Sequence, residues 1–320
     1  MTRKCDNPRC FVHEGEGCAE GHVQFKECPS WTTHAPTAEE IEETNPSKNS
    51  ARVNWSGSTL GLADLANLAP RGRSILIGVL GAHDTGKTTL LMGTYLQLCL
   101  GRTLADACFA GSHSLGAWEA LAAWARFDDA ARLPRFPQHT PRGTGRVPGL
   151  LHLALRGRGD EHRDVFLADA PGEWFTRWSI QEDAPDAEGA RWIAGNADAF
   201  LIVGDCERLS GPQRGQTRSD LRQLVERLGK HAGRRPTTLV WAKNDHRPSE
   251  GIVNAIRTAL RDQIPHATEV STSTDRPESL PAALEAVLRP AWTPPFAQPL
   301  TEPIFQHVPF AAFRGIYANT

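Results

Sequence analysis

An apolar strand that runs through a glycine-bounded turn straight into an apolar helix occupies residues 74–95, SILIGVLGAHDTGKTTLLMGTY, and no other stretch restricts the folding of this chain as strongly. Gly81, four residues, then Gly86, Lys87 and Thr88 have the spacing of a phosphate-cradling loop, in which successive backbone N–H groups and a helix N-terminus surround a phosphate. Gly81, Ala82, His83, Asp84 and Thr85 would form the turn, and Gly86, Lys87, Thr88 and Thr89 would open the helix. Lys87 would reach the β- and γ-phosphates of a nucleotide. The Thr88 hydroxyl would be a ligand for magnesium, a hard oxygen donor for a hard cation.

From Arg73 onward apolar strands alternate with amphipathic helices. Strands are expected at 74–80, 149–156, 164–169, 198–204, 237–242 and 267–271, and helices at 87–100, 216–230, 250–263 and 278–288. Such alternation implies an α/β fold with a mostly parallel sheet covered on both faces. A helical insertion is expected at about 102–135, where Leu115, Trp118, Leu121, Ala122 and Ala125 form a stripe suited to core packing. Four segments follow: a cysteine-rich head at 1–32, a linker at 33–72, a nucleotide-binding domain at 73–290 and a tail rich in proline and aromatics at 291–320.

The head sets Cys5, Cys10, Cys18 and Cys28 among turn residues, with His13 and His22 as further candidate ligands. Four thiolates, or three and an imidazole, would hold zinc in a small knuckle too short to bury a core of its own. Seven cysteines, an odd number crowded toward the N-terminus, suit a metal site in a reducing compartment better than a disulfide framework. A formal charge of −2 argues against direct nucleic-acid binding. No apolar run has membrane-spanning length and MTRKCDNPRC lacks a secretory core, so a cytoplasmic protein is expected.

A phosphate loop calls for an acidic residue at the end of a neighbouring strand to hold magnesium. DVFLADAPGEWF supplies Asp169, with Gly172 three positions on, where a backbone N–H could turn toward a γ-phosphate. In TTLVWAKNDH, Lys243 and Asp245 follow another apolar strand. A carboxylate there accepts from the two N–H donors on guanine's edge, and a lysine stem can cover the purine. TEVSTST ends a further strand with hydroxyls, Ser271 among them, where a base-binding loop is expected.

Taken in this order, the motifs resemble those of the GTPases of the translation-factor class within the P-loop superfamily, over roughly residues 73–290. The resemblance implies a P-loop NTPase fold, a three-layer α/β/α sandwich, and slow GTP hydrolysis by a nucleotide-dependent switch that cycles between GTP and GDP. Gly81 to Thr88 is the first box, Asp169 to Gly172 the third, Ala242 to Asp245 the fourth and Ser271 to Ser273 a loose fifth. Ala242 stands where the family has an asparagine that ties the base loop to the phosphate loop. Either Thr140 or Thr144 fits the second box as a magnesium ligand, with Thr144 flanked by Arg142 and Arg146. Glu173 follows Gly172 at the place where relatives carry a water-positioning glutamine or histidine, and Asp84 takes the place of the asparagine of potassium-dependent relatives. The head, the insertion and the tail are also similar to bacterial double-GTPase proteins, encoded beside a second GTPase in conflict or defence loci, which implies a protein partner. An ATPase or small-molecule kinase, and a non-hydrolysing nucleotide-bound scaffold, are the alternative readings.

Overall fold

The structure is a computed structural model that describes residues 3–5, 31–33, 59–68, 74–123, 125, 148–157 and 162–292. The chain divides into two compact units, Met1–Val53 and Asn54–Thr320. In the first, strands β1 (Arg3–Cys5) and β2 (Trp31–Thr33) pair antiparallel, with Cys5 opposite Trp31.

The second unit is organised by a seven-stranded sheet. Its order is β4 (Cys108–Gly111), β5 (Gly149–Arg156), β6 (His162–Asp169), β3 (Ser74–Leu80), β7 (Ala199–Asp205), β8 (Thr237–Ala242) and β9 (Thr268–Ser271). β5 runs antiparallel to both its neighbours, and every other pair is parallel. Successive side chains of a strand point to opposite faces, and this period distributes the core into two layers. Ile75, Ile77 and Val79 of β3 pack with α2 (Lys87–Cys99), α3 (Leu115–Ala123) and α9 (Ser279–Trp292). Leu76 and Leu80 pack on the other side with α4 (Gly172–Ile180), α5 (Glu188–Asn196), α7 (Arg214–Ala232) and α8 (Glu250–Gln263). β3, β7 and β8 are buried almost throughout, as a parallel sheet sandwiched between helices requires. This mixed α/β sandwich with a mostly parallel sheet fits the P-loop fold.

The two edge strands are short. β4 has four residues and its register shifts between Phe109 and Gly111, which marks a bulge. β9 also has four residues, and its Glu269 accepts from Arg257 Nε at 2.8 Å and from Trp241 Nε1 at 2.9 Å.

Several elements differ from the sequence reading. Leu60 exchanges backbone hydrogen bonds with Leu150, and α1 (Leu62–Leu68) buries Leu68, so this part of the expected linker belongs to the core. The three-residue spacing of Leu62, Leu65 and Leu68 explains why it does. Among the described residues the insertion contributes the edge strand β4 as well as the helix α3. Its Trp118 and Ala122 are buried, whereas Leu115 is 38% exposed. The Trp118 indole N–H donates to the His152 carbonyl at 2.7 Å, which satisfies the polar group that the ring carries inward. Helices α4 and α5 were not expected. Gly189 weakens the helical signal of α5, yet a Cβ there would stand 2.1 Å from the Trp174 ring, so the glycine lets the two helices touch. α9 runs to Trp292, two residues beyond the expected domain end, and the Trp292 ring receives the Arg163 guanidinium.

Candidate functional site

Parallel strands place their carboxyl ends along one rim of the sheet. The chain leaves β3 for β5 and β6 on one side and then crosses to β7 on the other, so the loop after β3 lies at the point where strand order reverses. Ligands of open α/β sheets bind at such points. A cleft of about 1080 Å³ opens there, bounded at one end by the loop after β3 and at the other by Lys243, Asp245 and Ser273. This is at the upper end of the range for small-molecule sites, about 300–1,000 Å³.

At the first end, Asp84 and Gly86 take left-handed backbone with φ of 64° and 92°. Alternation of backbone hand turns successive N–H groups toward one concavity, and α2 starts directly behind it. Lys87 is buried at 7% exposure, and its Nζ donates to the carbonyls of Gly81 at 3.0 Å and Ala82 at 2.9 Å. Burial pulls its pKa below the ordinary lysine value, against the opposing pull of the Asp169, Glu173 and Asp84 carboxylates. Thr88 Oγ1 donates to Asp169 Oδ2 at 3.0 Å, which joins the first turn of α2 to the end of β6. Two hard oxygen donors from different elements meet there, a donor set that suits magnesium. Gly172 opens α4 against the same loop: a Cβ on it would lie 2.2 Å from the His83 nitrogen, so only glycine allows this backbone approach. Glu173 follows in the first turn of α4, its Oε1 3.6 Å from His83 Nδ1, while His83 Nε2 lies 3.5 Å from Asp84 Oδ2.

At the second end β8 stops at Ala242 and Lys243 turns the chain with φ of 55°. The Asn244 N–H donates to the Thr272 carbonyl at 3.0 Å and the Thr272 N–H to the Trp241 carbonyl at 2.9 Å, so the loops after β8 and β9 are laced together. Ser273 Oγ donates to Asp245 Oδ1 at 2.8 Å, and this bond holds the Asp245 carboxyl below its ordinary pKa. Ser271, by contrast, is exposed at the end of β9 and does not line the cleft; the hydroxyl that meets Asp245 is that of Ser273. Lys243 Nζ donates to Asp205 Oδ2 at 2.8 Å and to Glu207 Oε2 at 2.9 Å. Burial lowers the Lys243 pKa, but these two bonds outweigh it and hold the ammonium above its ordinary value.

The short helix α6 (Cys206–Ser210) and the loop that follows it line the cleft with residues that escaped the sequence reading, Glu207 and Arg208 among them. Arg208 donates from one terminal nitrogen to the His83 carbonyl at 2.8 Å and from the other to Asp84 Oδ2 at 3.2 Å. The available signal was the Asp205–Arg208 charge pair just after the apolar run of β7, at the rim where ligands bind. Thr140 and Thr144, with Arg142 and Arg146, lie outside the described residues, as do Cys10, Cys18, Cys28, His13 and His22. Cys5 is described only through its backbone in β1. Among the described residues no group of three His, Cys, Asp or Glu side chains is disposed to hold a metal ion, and no helix is long and apolar enough to cross a membrane.

A phosphate-type loop at the strand-order reversal, a lysine folded onto it and a carboxylate at the far end of the same cleft define a P-loop nucleotide-binding protein. The model of one family, Double-GTPase 2, matches residues 75–293, more than half of the chain, and the chain belongs to that family. Comparison with curated proteins finds no match. Membership makes residues 75–293 a GTPase-family domain and implies a guanine nucleotide and magnesium as its ligands.

Proposed function

We propose that the chain binds GTP, hydrolyses it slowly and acts as a nucleotide-dependent switch. One observation carries this reading: a single cleft has an anion-binding loop with Lys87 at one end and Asp245, kept ionised by Ser273, at the other. An ionised carboxylate accepts from both guanine N–H donors, and adenine offers no such pair. Thr88 and Asp169 would hold the magnesium ion, which neutralises phosphate charge when bound.

Glu173 is the residue we assign to the water. From the first turn of α4 its carboxylate would accept a hydrogen bond from a water aligned with the γ-phosphorus. As the new P–O bond forms, the bond from phosphorus to the β–γ bridging oxygen breaks, GDP leaves with the electron pair, and the water's proton ends on phosphate or solvent. A carboxylate in that place adds negative charge, which Lys87 and Arg208 at the same loop offset. Glu173→Gln should keep nucleotide affinity within a few-fold and slow single-turnover GTP hydrolysis at least about tenfold, roughly 1.4 kcal/mol of barrier. A wild-type rate in that variant removes the role, and a wild-type protein that splits ATP as readily as GTP removes the guanine assignment.

The head and tail belong to the same proposal. We assign a zinc knuckle to Cys5, Cys10, Cys18 and Cys28 on the crowding of these cysteines among turn residues; in β1, Cys5 pairs with Trp31, three positions past Cys28 in sequence. About one zinc per chain is expected by metal analysis, lost in Cys5→Ser and Cys28→Ser without loss of nucleotide binding. Together with residues 293–320, this head would dock a protein partner in the cytoplasm, a second GTPase in our reading.

A further inference from the structure

Ala242 brings the base end of the cleft to the phosphate loop with nothing more than a methyl group: its Cβ lies 3.9 Å from the position a Cβ would take on Gly86. The polar connection between the two ends runs elsewhere. Asp205, whose carboxylate is fully buried, ends β7 between them. Its Oδ2 accepts from Lys243 Nζ at 2.8 Å, and Oδ1 accepts from the Arg208 backbone N–H at 3.1 Å, with Arg208 Nε 3.8 Å from Oδ2. The Arg208 fork then reaches the His83 carbonyl and the Asp84 carboxylate. A path thus leads from the base loop through one buried anion to the phosphate loop: the Lys243–Asp205 bond, the Asp205–Arg208 backbone bond with its 3.8 Å ion pair, and the Arg208 fork. A buried carboxylate shared between two cations resists displacement of either one, because the group left behind would be buried and short of a partner.

We propose that Asp205 and Arg208 form the tie between the two ends of the cleft, so that Arg208 is a positioning residue for guanine selectivity through contacts confined to the phosphate loop and Asp205. The proposal rests on the GTP-binding reading for its effect on selectivity, but the tie itself is a property of the nucleotide-free chain.

Two measurements on the full chain decide it. In nucleotide-free Arg208→Ala, hydrogen exchange at the Asn244 and His246 amides should be at least about fivefold faster than in wild type, while β8 stays protected. Unchanged exchange at those two amides overturns the tie, whatever the nucleotide. In equilibrium binding, the same variant should lose more affinity for GDP than for ADP, with the GDP-to-ADP preference falling at least about fivefold. Equal losses mean that Arg208 serves only the phosphates common to both, and the positioning role is overturned. Arg208→Ala combined with Lys243→Ala should lower the preference no further than the stronger single variant, since both cut one path; multiplied losses mean independent action and refute it. Should Arg208→Ala not fold, Arg208→Lys keeps the charge, loses the fork and should show the same fall in preference. A wild-type protein without preference for GDP removes the guanine reading alone, because the exchange measurement still decides the tie.

Discussion

The two ends of the cleft are built in opposite ways. At the phosphate end the cradle itself comes from one continuous stretch, Gly81 to Thr89, with Asp169, Glu173 and Arg208 added around it, and the cradle is largely backbone, whose direction follows from φ at Asp84 and Gly86. At the base end Asp245, Ser273 and Lys243 come from two loops and lean on Asp205 and Glu207 from a third, so side-chain bonds between distant segments hold the geometry. A local backbone site is robust to change elsewhere in the chain. A site assembled from side chains is adjustable, and each of its parts depends on the others.

The largest effect should come from breaking the phosphate end. Lys87→Ala removes the cation buried against the loop and should lower GTP and GDP affinity at least about a hundredfold, roughly 2.8 kcal/mol, as read by calorimetric titration. Undiminished binding would show that the loop holds no phosphate. At the base end, Asp245→Asn should cost GTP about tenfold while ATP changes little, because an amide offers one acceptor and two donors where guanine presents donors. A parallel loss of both nucleotides would make Asp245 a structural residue and erase the contrast between the ends.

The smallest effect concerns protons. The Ser273 hydroxyl keeps the folded Asp245 carboxyl below its usual value, so folding is favoured above the unfolded pKa of about 3.9 and that contribution is lost as pH falls through the lowered folded pKa. Ser273→Ala should therefore melt lower than wild type near about pH 6, by of order 1–2 °C given the exposure of Asp245, with the gap closing as pH drops below about 4. A gap that widens in acid would mean that the bond acts on something other than the ionised carboxylate.

The same contrast explains how much was legible in the sequence. Strand, turn and helix follow one another within Ser74 to Tyr95, and their periodicities are local, so the phosphate end and the six principal strands could be read off directly. At the base end the strand's last residue, Ser271, was placed correctly and chosen from the loose box Ser271 to Ser273; a strand end does not tell which of the following hydroxyls turns inward, and the one facing Asp245 is that of Ser273. Arg208 was missed for a different reason: the Asp205–Arg208 pair marks the rim, but the partners His83 and Asp84 lie more than a hundred positions away, and no local pattern encodes that meeting. Helix α5 was hidden by Gly189, whose value appears only when Trp174 is packed against it.

The short, interrupted edges of the sheet bear on how this protein meets others. An open sheet invites a passing strand to extend it, in productive docking and in aggregation alike. Here one margin is kinked by the irregularity at Phe109 to Gly111, and the other ends after four residues with the Glu269 carboxylate clasped by Arg257. Neither margin offers an uninterrupted ladder of free amides for an incoming chain to copy. Under the proposed function, a partner of this domain would therefore be expected on its helical faces or at the nucleotide rim rather than as an added strand.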